Sequence, residues 1–240
     1  MPALWGWLPM AARRHRRAGW MGMLLLRQPV ADMRPRLLDL FCGAGGAAMG
    51  YHRAGFDVVG VDIRPQPRYP FEFHQADALT FPLEGFDAIH ASPPCQDHSS
   101  LKVNGLHGTG WMLDSTRQRL TASPALWIIE NVVGADMRAD FLLCGGMFGL
   151  RTYRHRRFEL DPRFPGLLGV PSHPLHVIKS SRGKRRSHWN QGYHMTVTGH
   201  IDQEVAAACL DIDWMTSEEL VQAIPPAYTH FIGGELIEWL

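Results

Sequence analysis

The stretch Arg36-Leu37-Leu38-Asp39-Leu40-Phe41-Cys42-Gly43-Ala44-Gly45-Gly46 decides the fold. Leu37–Phe41 is a short apolar run that reads as a buried strand, Cys42–Gly46 as a tight turn, and Ala47–Ala54 as the helix that the turn feeds. A second strand is expected over Phe56–Val61. It ends on Asp62, nineteen residues after Gly43, the spacing at which a carboxylate at a strand tip meets a ribose whose neighbouring group rests on the glycine turn. Gly43 and Gly45 alone would be weak evidence, because glycines also serve simply to close a strand-to-helix connection. The acid at this distance turns the pattern into a nucleoside-cofactor site.

Working outward, a further acid stands in Gln75-Ala76-Asp77-Ala78, placed either to accept from an adenine amino group or to cap the following turn. The strand expected over Phe86–Ala91 runs directly into Ser92-Pro93-Pro94-Cys95-Gln96. A helical segment at Thr116–Leu120 and a strand at Leu126–Ile129 follow, ending on Glu130-Asn131-Val132. This alternation is the βαβ rhythm of an α/β fold with a mostly parallel, doubly wound sheet, whose ligands gather at the carboxyl ends of the strands. Cys95 and Glu130 are therefore expected at one rim. A thiolate and a carboxyl group acting together suit covalent attack on a pyrimidine: ring position 6 of cytosine is electron-poor only when nitrogen 3 is protonated or strongly hydrogen-bonded.

Composition sets limits on this reading. At 240 residues with 45% hydrophobic content, the chain can bury one sizeable core with a small appended lobe. The four cysteines, Cys42, Cys95, Cys144 and Cys209, form no CxxC pair, which argues against a disulfide scaffold and for a reduced, cytoplasmic setting. No Cys or His set has zinc-like spacing, His173 and His176 included, so no metal is expected. The net charge of +1 is uneven: residues 1–36 hold seven arginines against the single acid Asp32, and the remainder is mildly acidic. Residues 1–35 read as a disordered basic tail, too short in its apolar part (Ala18–Leu26) to span a membrane, and a start at Met33 is equally compatible with the sequence. Arg151, Arg154, Arg156 and Arg157 form one basic cluster; Lys179, Arg182, Lys184, Arg185 and Arg186 form another, able to hold phosphates or to lie on a solvated loop. The loop from Gln96 through Gly110 is glycine-rich, which suits a lid and equally a surface loop, and His98 and His107 on it read as bystanders.

These motifs, in this order, resemble the cytosine-5 DNA methyltransferases. Asp39–Gly46 looks like the family's S-adenosylmethionine motif, Pro93-Pro94-Cys95-Gln96 its nucleophile motif, Glu130-Asn131-Val132 its acid motif and Arg154-His155-Arg156-Arg157-Phe158 its arginine motif. Gln222–Pro226 with Ile232–Leu236 resembles the last motif, whose helix folds back beside the cofactor. The resemblance implies a Rossmann-like S-adenosylmethionine-dependent methyltransferase fold with a very small second lobe. Residues 36–160 and 201–240 would form the catalytic domain and 161–200 an abbreviated target-recognition segment.

The resemblance also implies roles. Cys95 would be the nucleophile, Glu130 would hold nitrogen 3 and the amino group, and Arg156, with Arg154, would serve the base. Phe41, Gly43, Gly45 and Asp62 would hold the adenosyl group and ribose, with Ile63, Asp77, Ala78, Pro93 and Gln222 completing the pocket. Gln96, Ser99 and the cluster from Lys179 to Arg186 would meet nucleic acid. The partner implied is double-stranded DNA with the target base turned out of the stack, acted on by a monomer, with room for a cognate restriction endonuclease. An RNA (tRNA) cytosine methyltransferase and a catalytically idle nucleic-acid-binding relative are the alternatives. Two positions depart from the pattern: Gln222 stands where the family usually has asparagine, and Thr152 where its arginine motif commonly begins with glutamine. The short 161–200 segment, with Trp189 and Tyr193 available either to meet bases or to form a miniature core, predicts short or relaxed sequence selectivity.

Overall fold

A computed structural model describes residues 34–94, 111–164, 166, 169–183 and 186–240. The basic tail, Cys95, Gln96, Ser99, His98, His107, Lys184 and Arg185 lie outside the described residues. The elements run β1 (Arg36–Leu40), α1 (Gly46–Ala54), β2 (Asp57–Asp62), β3 (Glu72–Gln75), β4 (Ala88–Ala91), α2 (Trp111–Thr121), β5 (Leu126–Asn131), β6 (Phe141–Leu143), β7 (Arg156–Leu160), β8 (Ser180–Ser181), α3 (Arg186–Asn190), β9 (His194–Met195), α4 (Gln203–Leu210), α5 (Ser217–Gln222) and α6 (Pro226–Ile237). Seven strands form one sheet in the order β3-β2-β1-β4-β5-β7-β6. β1 to β5 pair in parallel, while β7 runs antiparallel to both β5 and β6.

The strands are apolar throughout because both faces of the sheet are covered. Leu37, Val58, Ala88 and Ile128 face one side and pack with residues of α1 and α6. Their neighbours Leu38, Val59, Ile89 and Ile129 face the other side, where Leu113 and Leu120 of α2 meet them. This two-residue alternation is the strand period made visible in three dimensions. β1 sits centrally, and the chain leaves it toward β2 and later returns on its other side as β4, so the topological switch point falls between the carboxyl ends of β1 and β4.

α6 lies directly on α1, and small residues make the contact possible. A Cβ on Gly50 would come within 2.0 Å of Thr229 Oγ1, and one on Gly233 within 2.7 Å of Ala54 Cβ. The Thr229 hydroxyl donates to the Ala47 carbonyl at 2.8 Å, which ties the returning C-terminal helix to the first turn of α1. A third apolar cluster joins Met195 and Val197 to α4 and α5, with Trp189 and Tyr193 packed against it. Those two aromatics belong to a miniature core: the Arg151 guanidinium stacks on the Trp189 ring at 3.6 Å, and His188 stacks on Tyr193 at 4.6 Å.

Several element boundaries differ from the sequence reading by one or two residues, and two differences matter for the site. α2 begins at Trp111, five residues before the expected Thr116, because Leu113, Thr116 and Leu120 form one buried face at helical spacing. Phe41 does not extend β1; it takes a left-handed backbone at φ 59°, unusual for a bulky side chain, and starts the glycine turn. No helix among the described residues is long and apolar enough to cross a membrane.

Candidate active site

The carboxyl ends of β1, β2, β4 and β5 open onto a cavity of about 510 Å³, a size suited to a nucleoside cofactor together with part of a base. At one end it is walled by Phe41, Gly43, Asp62, Ile63, Asp77 and Ala78, and at the other by Pro93, Pro94, Glu130 and Arg156, with Gln222 coming in from α5. The turn that shapes it is held locally. The Gly43 N–H donates to Asp62 Oδ2 at 3.0 Å, and the Cys42 N–H donates to the Val61 carbonyl at 3.1 Å, so the tip of β2 grips the turn after β1. A Cβ on Gly43 would meet no protein atom within 4 Å, so its backbone faces open space that a ligand can approach.

Six acids line this cavity (Asp39, Asp62, Asp77, Glu130, Glu218 and Glu219) against two arginines, Arg64 and Arg156. Asp39 is buried with neither carboxyl oxygen engaged by an aligned donor; burial first, and then the nearby Asp62 charge, raise its proton affinity well above the carboxylate range. An orphaned buried acid in an acid-lined pocket calls for a cationic ligand. S-adenosylmethionine fits on those grounds: a ribose diol for Asp62, an amino group for Asp77, and ammonium and sulfonium charges for the acids not already paired, since Glu219 is held by Arg68 and Glu130 by Arg156.

At the far end, Glu130 and Asn131 are the last two residues of β5. Arg156 Nε stands 2.8 Å from Glu130 Oε1, within ion-pair distance, and no donor is aligned on that buried oxygen. Burial raises the Glu130 pKa despite the opposing pull of Arg156, a Ser92 hydroxyl and Arg154. A carboxyl group that tends to keep its proton can donate to a ring nitrogen. Behind it runs a buried polar chain: Tyr51 Oη lies 3.0 Å from His90 Nδ1, and His90 Nε2 lies 3.0 Å from Ser92 Oγ. Burial lowers the His90 pKa to about 3, so this ring is neutral and serves to orient Ser92 against Glu130. Asn131 Nδ2 donates to the Pro93 carbonyl at 2.9 Å, locking the end of β5 to the proline pair that leads into Cys95.

The structure separates some residues that the sequence grouped together. Arg154 does not line the cavity: its guanidinium donates to the Val221 carbonyl at 2.5 Å and to the Val197 carbonyl at 3.5 Å, making it a brace between the arginine motif and α5. Gly45 does not line it either, because a Cβ there would strike Pro70 Cδ at 2.9 Å; its role at φ 86° is to let the turn pass Tyr69 and Pro70. Asp77 lines the cavity and also accepts from the Leu79 N–H at 2.9 Å, so it caps the following turn. Lys179 and Arg182 are exposed, but Arg186 is held by Glu204 at 2.6 Å and Asp202 at 3.6 Å and is no free cation. Asp39, Ser92, His90 and Asn131 were not singled out from the sequence; a buried Asp inside an apolar strand run was the available signal.

Residues 35–137 match the profile of the family described as C-5 cytosine-specific DNA methylase. The type II methyltransferase M.HgiGI of Herpetosiphon aurantiacus is 30% identical over 118 residues, which are 42% of this chain and 94% of that protein. The chain belongs to the C-5 cytosine-specific DNA methylase family. M.HgiDI from the same organism is 30% identical over 152 residues, 57% of this chain, and this chain spans about half (48%) of its length. Among solved structures, a protein of an E. coli prophage, described as a DNA modification methyltransferase, superposes with a TM-score of 0.58 at 14% identity, covering 85% of this chain and 99% of that one. The Dnmt2 methyltransferase of S. pombe gives 0.55 at 12%, with 85% and 99% covered. These two likenesses show the fold.

Proposed function

We propose that the protein is a DNA (cytosine-5-)-methyltransferase that modifies carbon 5 of cytosine in double-stranded DNA at the expense of S-adenosylmethionine. The observation that carries this reading is the Glu130–Arg156 pair, 2.8 Å apart, in the same cavity as Asp62, Asp77 and Pro94, the residue that precedes Cys95 in the sequence. Phe41, Gly43, Asp62, Ile63, Asp77, Ala78 and Gln222 hold the cofactor, which when bound supplies an electrophilic methyl group at the base end of the pocket. Cys95 adds its thiolate to carbon 6 of the base. Glu130, carrying its proton, holds nitrogen 3 and accepts from the amino group, which makes carbon 6 electrophilic and leaves carbon 5 nucleophilic once the thiolate has added. Arg156 keeps Glu130 in place and donates to the base carbonyl. Loss of the carbon 5 proton and expulsion of the thiolate then restore the aromatic ring.

The reading includes a flipped-out target base, because a stacked cytosine cannot be approached from both sides. It assigns residues 161–200 to target recognition, with Lys179 and Arg182 near phosphates, and treats the enzyme as a cytoplasmic monomer with room for a cognate restriction endonuclease. The test is transfer of labelled methyl from S-adenosylmethionine to duplex DNA and, in parallel, to tRNA, with Cys95→Ala as control. Incorporation at carbon 5 of cytosine in DNA, absent in the control, supports the proposal. Incorporation in tRNA alone would replace DNA by RNA as substrate, and incorporation in neither would sink the enzyme reading.

A further inference from the structure

The molecule holds a second cluster of ligating side chains, outside the cavity described above. Cys144, His155, His173 and His176 each offer one ligand atom, and all four atoms lie within 4.8 Å of one another. Cys144 follows β6, His155 immediately precedes β7, and the last two sit in the irregular chain before β8. We propose that this is a structural zinc site of the Cys-His₃ type, which pins the 161–200 segment to the catalytic sheet.

Geometry supports a tetrahedral metal. With metal–nitrogen bonds of about 2.0–2.1 Å and a metal–sulfur bond of about 2.3 Å, tetrahedral ligands stand roughly 3.3 Å apart for nitrogen pairs and roughly 3.6 Å for nitrogen–sulfur pairs. Here His155 Nε2 and His173 Nε2 are 3.0 Å apart, and Cys144 Sγ and His176 Nε2 are 3.5 Å apart. The three imidazoles converge with ring centroids 4.9–5.2 Å from one another. Three rings and a thiol turned nitrogen-to-nitrogen and sulfur-to-nitrogen, with no carboxylate in the group, make poor partners for each other and good ligands for a borderline-soft cation.

The surroundings are built for the same purpose. Cys144 opens a Cys-Gly-Gly turn closed by the Met147 N–H, which donates to the Cys144 carbonyl at 2.9 Å and so fixes the backbone that carries the sulfur. Both glycines are required by close passes: a Cβ on Gly145 would come within 2.2 Å of the Thr152 carbonyl oxygen, and one on Gly146 within 2.9 Å of Pro174 Cγ. Pro174 lies between the two histidines of the segment, so the turn and the His173–His176 loop are already fitted together. Tyr153 stacks on His176 at 3.7 Å and donates from its hydroxyl to the Ile178 carbonyl at 3.0 Å, fixing that ring from the outer side.

The segment needs such a tie. Leu175 and Val177 are 84% and 80% exposed, and residues 169–178 carry no regular secondary structure, so little apolar burial holds them. A metal is the usual substitute where a small lobe cannot build a core. His155 stands between the brace Arg154 and the active-site Arg156, so the same ion would fix the entry to β7 on which Arg156 is mounted.

The test uses the full chain without a polyhistidine tag, with Zn(II) measured by elemental analysis and Co(II) exchanged in as a spectroscopic probe. The proposal expects one metal per chain, intense visible bands of tetrahedral cobalt and a thiolate-to-cobalt charge-transfer band in the near ultraviolet. Cys144→Ser should remove that charge-transfer band, and His173→Ala with His176→Ala should weaken Zn(II) binding by roughly 100-fold or more in chelator competition. Substoichiometric metal, an octahedral cobalt spectrum without a thiolate band, or unchanged binding in the variants would overturn it. The spectrum of the unsubstituted protein decides the question even if a variant fails to fold. The outcome is independent of whether DNA is methylated.

Discussion

The two ends of the molecule's chemistry are assembled in different ways. The cofactor end is made by short-range structure: β1 hands directly to the glycine turn, β2 ends on Asp62, and the Cys42 and Gly43 N–H groups, donating to the Val61 carbonyl and the Asp62 carboxylate, close the two together. The Cys144–His155–His173–His176 cluster is made by tertiary structure alone, from four points spread over 33 positions of chain that meet only when β6, β7 and the following segment are in place. Function placed on consecutive strand tips is robust to loss of distant contacts. Function placed on a tertiary meeting point is not.

The largest expected effect falls where the catalytic end meets its base. Glu130→Gln should lower kcat by roughly 10²–10⁴-fold while leaving S-adenosylmethionine affinity nearly unchanged, as read by single-turnover methyl transfer and calorimetry. Equal loss in binding and in rate would mean that Glu130 shapes the cofactor end and not the chemistry.

Next in size is the α1–α6 contact that backs the glycine turn. In Gly50→Val the Cβ alone would come within 2.0 Å of Thr229 Oγ1 and 2.2 Å of the Pro226 carbonyl oxygen, and the two methyl groups beyond it would add to the clash. The substitution should cost about 3 kcal/mol, a fall in Tm of roughly 10 °C. An unchanged Tm would show that the C-terminal helix is not seated on α1.

A smaller effect sharpens the contrast between the two ends. Removing metal with a chelator should open residues 169–178 to proteolysis while amides of β1 and β2 keep their hydrogen-exchange protection. Simultaneous loss of protection in both regions would show that the two ends form one cooperative unit.

The smallest effect concerns Asp39. Its folded-state proton affinity is raised, mainly by burial, so the folded chain binds more protons than the unfolded chain above the ordinary carboxylate range. The stability linked to that proton is fully present below the unfolded pKa and is lost as pH rises toward the folded value. Asp39→Asn should therefore flatten the decline of Tm with rising pH in cofactor-free protein, stabilising it by about 1 kcal/mol on the alkaline side, roughly 3 °C. It should also weaken cofactor binding. A variant with an unaltered Tm–pH profile would mean that the carboxyl of Asp39 is solvated in solution.

The strand–helix alternation of a mostly parallel sheet, the glycine turn, Asp62 and the position of Glu130 at the rim were legible because each is written in a few consecutive residues whose period or spacing carries the geometry, whereas the antiparallel β6 and β7 were not read. Glu130 proved to lie within β5 itself, one step further along the strand than Ile129, where the apolar run ended. Arg154 and Arg156 look alike in sequence, two positions apart, but one faces Glu130 while the other braces Val221, a contact 67 positions away that no local pattern encodes. Asp39 reads as one polar letter in a strand, and its importance appears only when both oxygens are found buried without partners. The meeting of Cys144, His155, His173 and His176 escaped for the same reason on a larger scale: ten residues separate Cys144 from His155 and seventeen separate His155 from His173, spacings that match no local metal-binding pattern.

The central claim is that Cys95, brought to the rim by Pro93 and Pro94, attacks a cytosine held by Glu130. The most direct measurement is covalent trapping on a duplex carrying 5-fluorocytosine, where fluorine at carbon 5 blocks the final elimination. The account predicts a denaturation-resistant protein–DNA complex that forms only with S-adenosylmethionine, maps to Cys95 by peptide mass analysis, and disappears in Cys95→Ala. Folded, cofactor-bound protein that gives no such complex, or one that maps to another residue, would contradict it.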